Sequence, residues 1–514
     1  MPKNIVICCD GTGNEFGNQN SNVIKLYHTL KLGPLDGQVA YYHPGVGTMG
    51  SKNALTAAGK AWTRIRGLAF GYGISENIAD AYQYLMRTFE TGDKIFIFGF
   101  SRGAYTARAL CGLIEMFGLL RPGNEGLIPY AIRLFKRNDK SLLRKLHIFS
   151  VPSNKFWTAK GFKKTFCRDD CKPHFLGVWD TVSSVGRILD PFRAGGGLPY
   201  TYELGEVSAI RHAVSIDERR AFFRQNLAKP GTDFKEVWFP GVHSDVGGSY
   251  PEAESGLSKI SLRWMLREAK AAGLEVDPNL QAAILGESPF YAKPQPNATM
   301  HNSMTIGWWL GELLPKRGPR LPNFFRRRTI PNGACIHQSA LDRKTLVPSY
   351  KLKNAPTVFA VEDAAYPAQY PIHLQLGDNF TTGIHAGLKW NDVTIVLQKG
   401  ERYRFAASGK WYDARISCGP QGYPSPGWLF RRLERFRRFR NGNWFTLIGT
   451  IGKDLSTAFS IGAGTELDVP QDGILYCFAN DLPGFYGNNS GTVELYIQRV
   501  AGEKERAASA GKEA

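Results

Sequence analysis

Lys94-Ile-Phe-Ile-Phe-Gly-Phe-Ser-Arg-Gly-Ala-Tyr-Thr-Ala-Arg108 decides the fold of this chain. Ile95 to Phe98 reads as a short buried strand, and Leu110, Leu113, Ile114 and Phe117 recur at helical spacing beyond it. Between them stands Gly99-Phe-Ser101-Arg-Gly103. A serine on so tight a strand-to-helix turn needs small residues two positions to either side, and glycine supplies both. Its hydroxyl would then stand beside a helix N-terminus, whose amides and dipole stabilise an oxyanion. The five-residue pattern alone is weak, but strand, turn and helix together define a nucleophile elbow. An ordinary glycine-rich turn holding a structural serine is the alternative.

A serine nucleophile needs a base and an orienting acid, and on this scaffold they follow in the order acid, then His. His174-Phe-Leu-Gly-Val-Trp-Asp180-Thr-Val puts Asp180 at the C-terminal end of an apolar strand, where such sheets carry their sites. Glu236-Val-Trp-Phe-Pro-Gly-Val-His243-Ser-Asp245-Val-Gly-Gly248 puts His243 in a glycine-bounded loop after another strand. Alone, Asp180 would read as a cap and His243 as a structural histidine. With Ser101 in the required order, the catalytic assignment is favoured. Asp245, two residues from His243, is the rival acid and ranks as a loop-fixing group.

The expected fold class is α/β: a mostly parallel sheet covered by helices, of α/β-hydrolase type, followed by a β-sandwich. Strands are predicted near 4–9, 38–42, 94–99, 174–179, 211–216 and 236–240. Helices are predicted near 74–89, with Ile74, Ile78, Ala81, Tyr82 and Leu85 on one face, and near 258–270, with Leu262, Met265, Leu266 and Ala269. Asp10-Gly11-Thr12-Gly-Asn14 follows the first strand. Backbone amides of Gly11 and Thr12, with that of Arg102, are the expected oxyanion donors. The turn lacks the Lys-Ser/Thr ending of a P-loop and the third glycine of a dinucleotide fingerprint, so no cofactor is assigned to catalysis.

Several of these segments carry a resemblance. Ile5-Val-Ile-Cys-Cys-Asp10-Gly-Thr-Gly-Asn14, Tyr42-His-Pro-Gly-Val-Gly-Thr48, Gly99-Phe-Ser-Arg-Gly-Ala104, Gly177-Val-Trp-Asp-Thr-Val182 and Gly241-Val-His-Ser-Asp-Val-Gly-Gly248 resemble a family of bacterial α/β-hydrolases formerly of unknown function. That family includes the first class of type VI secretion phospholipase effectors. Over residues 3 to 345 the resemblance implies Ser101 as nucleophile, Asp180 as acid and His243 as base. It also implies a phospholipid membrane as target, a secretion-apparatus carrier and a cognate immunity protein.

Length favours two domains: 514 residues, with a hydrophobic fraction of 43% that can fill large cores. The expected division is 1–384 for the hydrolase, with basic insertions at about 120–170 and 300–330, then 385–500 for the sandwich and 501–514 for a disordered tail. No apolar run approaches the ~20 residues that span a bilayer. The first strand begins at Asn4, so no signal peptide is expected, and the chain is read as made in the cytoplasm and exported by a type VI route. The eight cysteines read mostly as buried hydrophobes. Cys167-x3-Cys171-x2-His174 has no second ligand pair, so neither a zinc site nor a disulfide framework is expected.

Short strands separated by turns at 393–397, 403–405, 445–448, 474–478 and 493–497 give the sandwich pattern. Asn480-Asp-Leu-Pro-Gly-Phe-Tyr-Gly-Asn-Asn-Ser-Gly491, Gly409-Lys-Trp-Tyr412 and Gly419-Pro-Gln-Gly422 resemble the calcium-dependent galactose-binding lectins of bacteria. The resemblance implies a calcium ion held by Tyr412, Asp481, the carbonyl of Phe485, Asn488 and Asn489. The lectins have Thr at the position of Phe485, and their sugar-contacting His and Gln have no match here. A glycan is accordingly the weaker implied ligand.

The net charge of +19 is concentrated. Lys136, Lys140, Arg144, Lys145, Lys155, Lys160, Lys163 and Lys164 form one cluster. Trp308-Trp309 precedes Lys316, Arg317, Arg320 and Arg326-Arg-Arg328. Trp428-Leu-Phe-Arg431-Arg432-Leu-Glu-Arg-Phe-Arg437-Arg438-Phe-Arg440 is an arginine/aromatic run. Such interleaving suits anionic lipid headgroups, with Trp308, Trp309, Arg431, Arg432, Arg437 and Arg438 as the expected contacts. A solvated charged face is the alternative for each cluster. No nucleic-acid module is recognisable, so nucleic acid is not an expected partner. The function read from the sequence is thus a serine acyl-ester hydrolase acting on phospholipid. The rival is a glycan- or partner-binding protein with a vestigial core.

Overall fold

The computed structural model of the chain describes residues 2–11, 17, 19–33, 37–45, 74–137, 154–182, 204–220, 223, 233–288, 290–304, 315–317, 321–322, 325–363 and 372–502. The chain forms two compact units. One comprises Met1–Gln281 with Pro294–Pro367, the other Ala282–Lys293 with Ala368–Ala514.

The first unit is built on β1 (Asn4–Cys9), β2 (Gln38–His43), β3 (Lys94–Phe100), β4 (Pro173–Trp179), β5 (Ala209–Ser215), β6 (Phe234–Phe239), β7 (Cys335–His337) and β8 (Ala360–Glu362). They form an eight-stranded sheet in the order β8-β7-β6-β5-β4-β3-β1-β2, with every neighbouring pair parallel. A parallel sheet covered on both faces demands near-continuous apolar strands rather than alternating ones. Ile5–Cys9 and Ile95–Phe98 meet that demand and are buried throughout. Where β5 puts Arg211 and His212 inside, each has a carboxylate: Arg211 meets Glu268 and Asp233, and His212 meets Glu236.

Helices α1 (Asn22–Thr29), α2 (Ile74–Thr88), α3 (Arg102–Phe117), α4 (His243–Gly247) and α5 (Gly256–Ala271) supply the covering layers. The stripes predicted on α2 and α5 are core faces, with Ile78, Ala81, Tyr82, Leu85, Leu262, Met265 and Leu266 buried. Among the described residues no helix is long and apolar enough to cross a membrane.

The second unit holds two antiparallel sheets. One orders Asn379–His385, Asn489–Val500, Arg402–Asp413 and Ile416–Cys418, with Gly464–Asp468 also on Arg402–Asp413. The other orders Asn391–Leu397, Gly473–Ala479, Trp444–Ile451 and Gln421–Tyr423, with Phe459–Ser460 on Trp444–Ile451. Their inner faces meet in a core that includes Trp411, Phe445, Leu447, Leu475 and Leu495. The structure moves the expected boundary at 385 towards the N-terminus. Asn379–His385, which the expected division leaves almost wholly outside the sandwich, is a strand paired along its whole length with Thr492–Gln498.

Candidate active site and candidate ion site

The turn between β3 and α3 shows why its sequence reads Gly-x-Ser-x-Gly. Ser101 has φ 59° and ψ −119°, a conformation that costs a non-glycine residue of order 1–3 kcal/mol and persists only when its surroundings impose it. A Cβ on Gly99 would lie 2.6 Å from the Gly103 carbonyl oxygen, and one on Gly103 would strike the carbonyls of Cys9 and Asp10. The two glycines therefore let β1 and the first turn of α3 close around the strained serine.

Two further strand ends converge on it. His243, at the start of α4, places Nε2 2.8 Å from Ser101 Oγ and Nδ1 2.5 Å from Asp180 Oδ2. With the proton on Nδ1, His243 donates to Asp180 and accepts from the serine hydroxyl. Asp180 follows β4, and its other oxygen accepts the Ser215 amide at 2.8 Å. Phe100 and Phe223 pack their rings against the imidazole at centroid distances of 4.7 and 4.9 Å. Burial lowers the His243 pKa from its ordinary value, against the raising influence of Asp180. The structure thus brings Ser101, His243 and Asp180 into one hydrogen-bonded row.

Asp245 does not face the imidazole of His243. Its Oδ2 accepts the amides of Val242 and His301 at 3.0 and 3.1 Å, and its Oδ1 meets His301 Nδ1 at 2.6 Å. His301 Nε2 reaches Glu254 at 2.8 Å. Burial alone would depress His301, but hydrogen bonds and charge from Asp245 and Glu254 carry it up to about 9.

Two residues at this centre escaped the sequence reading. Arg328 is buried and grips both oxygens of Asp180, Nη1 on Oδ1 and Nη2 on Oδ2 at 3.0 Å, while Nη1 also donates to Ser215 Oγ at 2.7 Å. Burial would raise the Asp180 carboxyl; the Arg328 charge, with hydrogen bonds from His243 and Arg328, instead holds it far below the usual carboxylate range. In the sequence Arg328 belongs to a basic cluster, and its run of three arginines gives no sign of burial. Glu218 accepts the His243 amide at 3.2 Å and the Ser303 hydroxyl at 3.0 Å, tying the loop that carries His243 to the segment before residue 305.

The expected oxyanion donors fare unevenly. Gly11 donates its amide to Asp10 Oδ1 at 2.5 Å, so its hydrogen points at a carboxylate and not at an incoming oxyanion. Asp10 in turn accepts from Ser21 and Tyr42, at 2.7 and 2.9 Å, which fixes this acid as an anchor for the turn. Arg102 opens α3 directly after Ser101, while Thr12 lies outside the described residues.

In the second unit, strand register brings Asp413 opposite Asn489 and Tyr412 opposite Ser490. Asp481 Oδ2 accepts from Asn489 Nδ2 at 3.0 Å, and Asp413 Oδ1 accepts from Asn488 Nδ2 at 2.9 Å. Asn489 Oδ1 is buried with no hydrogen-bond partner. Two carboxylates and two amides, one of which has its carbonyl oxygen buried and unpaired, are the hard-oxygen donors that calcium takes, so the residues fit the ion. Tyr412 and Phe485 border the loop with exposed side chains. Among the described residues no group of three His, Cys, Asp or Glu side chains could hold a metal, which leaves this amide-rich set to be judged on its own chemistry.

The arginine run divides. Arg431 and Arg432 are exposed on the short helix Trp428–Leu433 and Arg437 is half-buried. Arg438 is only 9% exposed, its guanidinium against both the Trp390 and Phe478 rings with Nη1 donating to the Lys389 carbonyl and the Tyr486 hydroxyl. This corrects its placing among direct membrane contacts: its guanidinium is an internal strut, held by ring faces and a carbonyl. Trp308 and Trp309 lie outside the described residues.

A helix-covered parallel sheet carrying a strained serine beside a His–Asp pair defines the α/β-hydrolase class. Residues 3–268 match the family described as T6SS, phospholipase effector Tle1-like, catalytic domain, and the chain belongs to that family. A Saccharomyces cerevisiae protein described as uncharacterized is 38% identical over 237 residues, 44% of this chain. The chain spans 33% of that relative's length. Among solved structures, an uncharacterized Pseudomonas aeruginosa protein is 20% identical, covering 57% of this chain and 49% of that one at a TM-score of 0.34. The Tle1 effector bound to the VgrG spike of a type 6 secretion system is 19% identical, covering 50% and 52% at 0.28. The N-terminal domain of EclA, a PllA-like lectin, is 20% identical, covering 23% and 95% at 0.19.

Proposed function

We propose that this protein is a serine acyl-ester hydrolase that cleaves phospholipid and serves as a type VI secretion effector. The hydrogen-bonded row Ser101–His243–Asp180 at the elbow, in a chain of this family, is the observation that carries the reading. His243 takes the Ser101 proton as the oxygen attacks the ester carbonyl, and then gives it to the departing alcohol. Asp180 orients the ring and stabilises the imidazolium, and the amide of Arg102 faces the developing oxyanion. Water then releases the fatty acid by the same route. No metal is assigned to these steps.

A yeast protein shares 38% identity with this chain over 237 residues, so we treat chemistry and delivery as separate claims. We assign delivery to a type VI carrier and protection of the producing cell to an immunity protein, both on family grounds. The sandwich is proposed to begin before residue 379 and to hold calcium through Asp413, Asp481, Asn488 and Asn489, with Tyr412 and the Phe485 carbonyl beside them. Incubating the purified chain with mixed phospholipid vesicles and measuring free fatty acid tests the central claim. Release that is abolished in Ser101→Ala supports it. No release under any lipid composition would favour the binding-protein alternative.

A further inference from the structure

Ten residues of the second unit, Arg431–Arg440, carry six guanidinium groups. Among the described residues none of the six lies within ion-pairing distance of a carboxylate, although arginines elsewhere in the chain commonly do. Glu434, the acid within the run, meets Ser425 instead. Like charges held this close repel one another, and among the described residues Glu434 is the one acid whose charge acts on the run, at Arg437, without forming an ion pair.

The same stretch lines an open cleft of about 560 Å³ with Arg435, Phe436, Arg437, Arg438 and Arg440 on its wall and Leu455 at its edge. Two donors of that wall, Arg437 Nε and Arg438 Nη2, are buried without an acceptor. A buried N–H left unmade costs roughly 1–3 kcal/mol, so an absent acceptor is a physical statement about the site. Arg438 is fixed by Trp390, Phe478, Tyr486 and Lys389, so it stiffens the wall from behind as an internal strut, and contact with an incoming anion falls to its exposed neighbours Arg435 and Arg440.

Apolar surface stands beside the arginines in the cleft wall, from Phe436, Phe439, Leu455 and Pro483, and the same unit exposes further large rings. Phe436 is 53% exposed, Trp428 69% and Phe485 60%. Arg432 and Arg435 lie over the rings of Trp428 and Phe436, at 5.3 and 4.7 Å, so guanidinium and aromatic surface are presented together. Planar guanidinium forks match phosphate oxygens, an amphipathic ring such as that of Trp428 settles at the headgroup level of a bilayer, and exposed phenyl rings gain by entering its apolar part.

We propose that this cleft binds the phosphate group of an anionic membrane lipid and docks the protein on such a membrane. The inference extends the phospholipid reading given above, yet concerns a surface that takes no part in ester cleavage. Its occupant is a headgroup in a bilayer, because free phosphate has no use for the exposed rings.

Sedimenting the full chain with vesicles of phosphatidylcholine alone, or mixed with phosphatidylglycerol, tests it. Wild type should bind the mixed vesicles, and Arg435→Glu/Arg440→Glu should bind at least tenfold more weakly. Lys399→Glu/Lys410→Glu changes the same charge on the same unit away from the cleft and should bind within twofold of wild type. Equal losses in both pairs would reduce the effect to net charge, and no loss in either would remove the cleft from binding; each overturns the proposal. Inorganic phosphate that raises the melting temperature through Arg435 and Arg440, without vesicle binding, would assign the cleft to a soluble anion and overturn lipid docking. Hydrolysis of a soluble short-chain ester by the same samples separates the two readings. Docking that fails while the ester is cleaved sinks only this proposal; docking without ester cleavage sinks only the hydrolase assignment.

Discussion

Arg328 changes what the Asp180 carboxylate can do for its histidine. A bidentate arginine neutralises much of the charge that would stabilise an imidazolium, and burial depresses His243 further. The base must be neutral to accept the serine proton, so ester hydrolysis should persist below the ordinary imidazole value of about 6.5 and fail only at lower pH. Replacing Arg328 with Met frees the Asp180 charge to act on His243, raises the imidazole pKa and should move the acid limb of kcat/KM to higher pH. A lower kcat with an unmoved limb would leave Arg328 a packing residue alone. Ser101→Ala, Asp180→Ala and His243→Ala should each lower hydrolysis by several orders of magnitude, with losses that do not add, since the three act as one unit. The candidate nucleophile, base and acid were legible because chain order and local glycines announce them. Arg328, Arg438 and Asp413 were not, because each is defined by a partner far away in sequence: Asp180, Trp390 and Phe478, and the strand that begins at Asn489. A run of arginines looks the same in sequence whether its members face solvent or a buried carboxylate.

At the scale of elements, the six strands and two helices given ranges in the first unit lie within two residues of their predicted ends, whereas Asn22–Thr29, Cys335–His337 and Ala360–Glu362 formed without a prediction. Continuous apolar runs can form only buried parallel strands here, and the stripes on α2 and α5 have one face to bury. The boundary of the sandwich was missed because Asn379–His385 alternates polar and apolar residues weakly and gains its strand character from pairing. The loop carrying His243 is held by an element that the sequence did not flag. His301 bridges Asp245 in α4 and Glu254 in the turn Glu252–Glu254. Its folded pKa of about 9 stands above the unfolded value, so its contribution to stability is complete below about pH 6.5 and is lost as pH rises through 9. Urea unfolding of wild type should therefore weaken across that window by more than unfolding of His301→Gln does. Parallel pH profiles would show that the bridge carries no charge. The elbow makes the complementary point about backbone. Gly103→Ala should cost about 1–3 kcal/mol or more, because its Cβ must displace the carbonyls of Cys9 and Asp10.

At the scale of the whole molecule, the two units have different chemistry and should answer differently to the same reagents. The proposed calcium set was read from the sequence as carrying one negative charge; the register that places Asp413 beside Asn489 makes it two. Affinity should then depend on both carboxylates, with Asp413→Asn weakening binding as Asp481→Asn does. An ion that binds only folded protein stabilises it by mass action, on the order of 2.7 kcal/mol at a hundredfold excess over Kd. Calcium should accordingly raise the unfolding temperature of the second unit in the full chain, and either substitution should erase the rise. The hydrogen-bonded row at Ser101 contains no such oxygen set, and its nucleophile is activated by an imidazole. Chelation should therefore leave cleavage of a soluble short-chain ester unchanged while it lowers that unfolding temperature. Loss of ester cleavage on chelation would place the ion in the chemistry of the first unit, and the division between the two units would have to be redrawn.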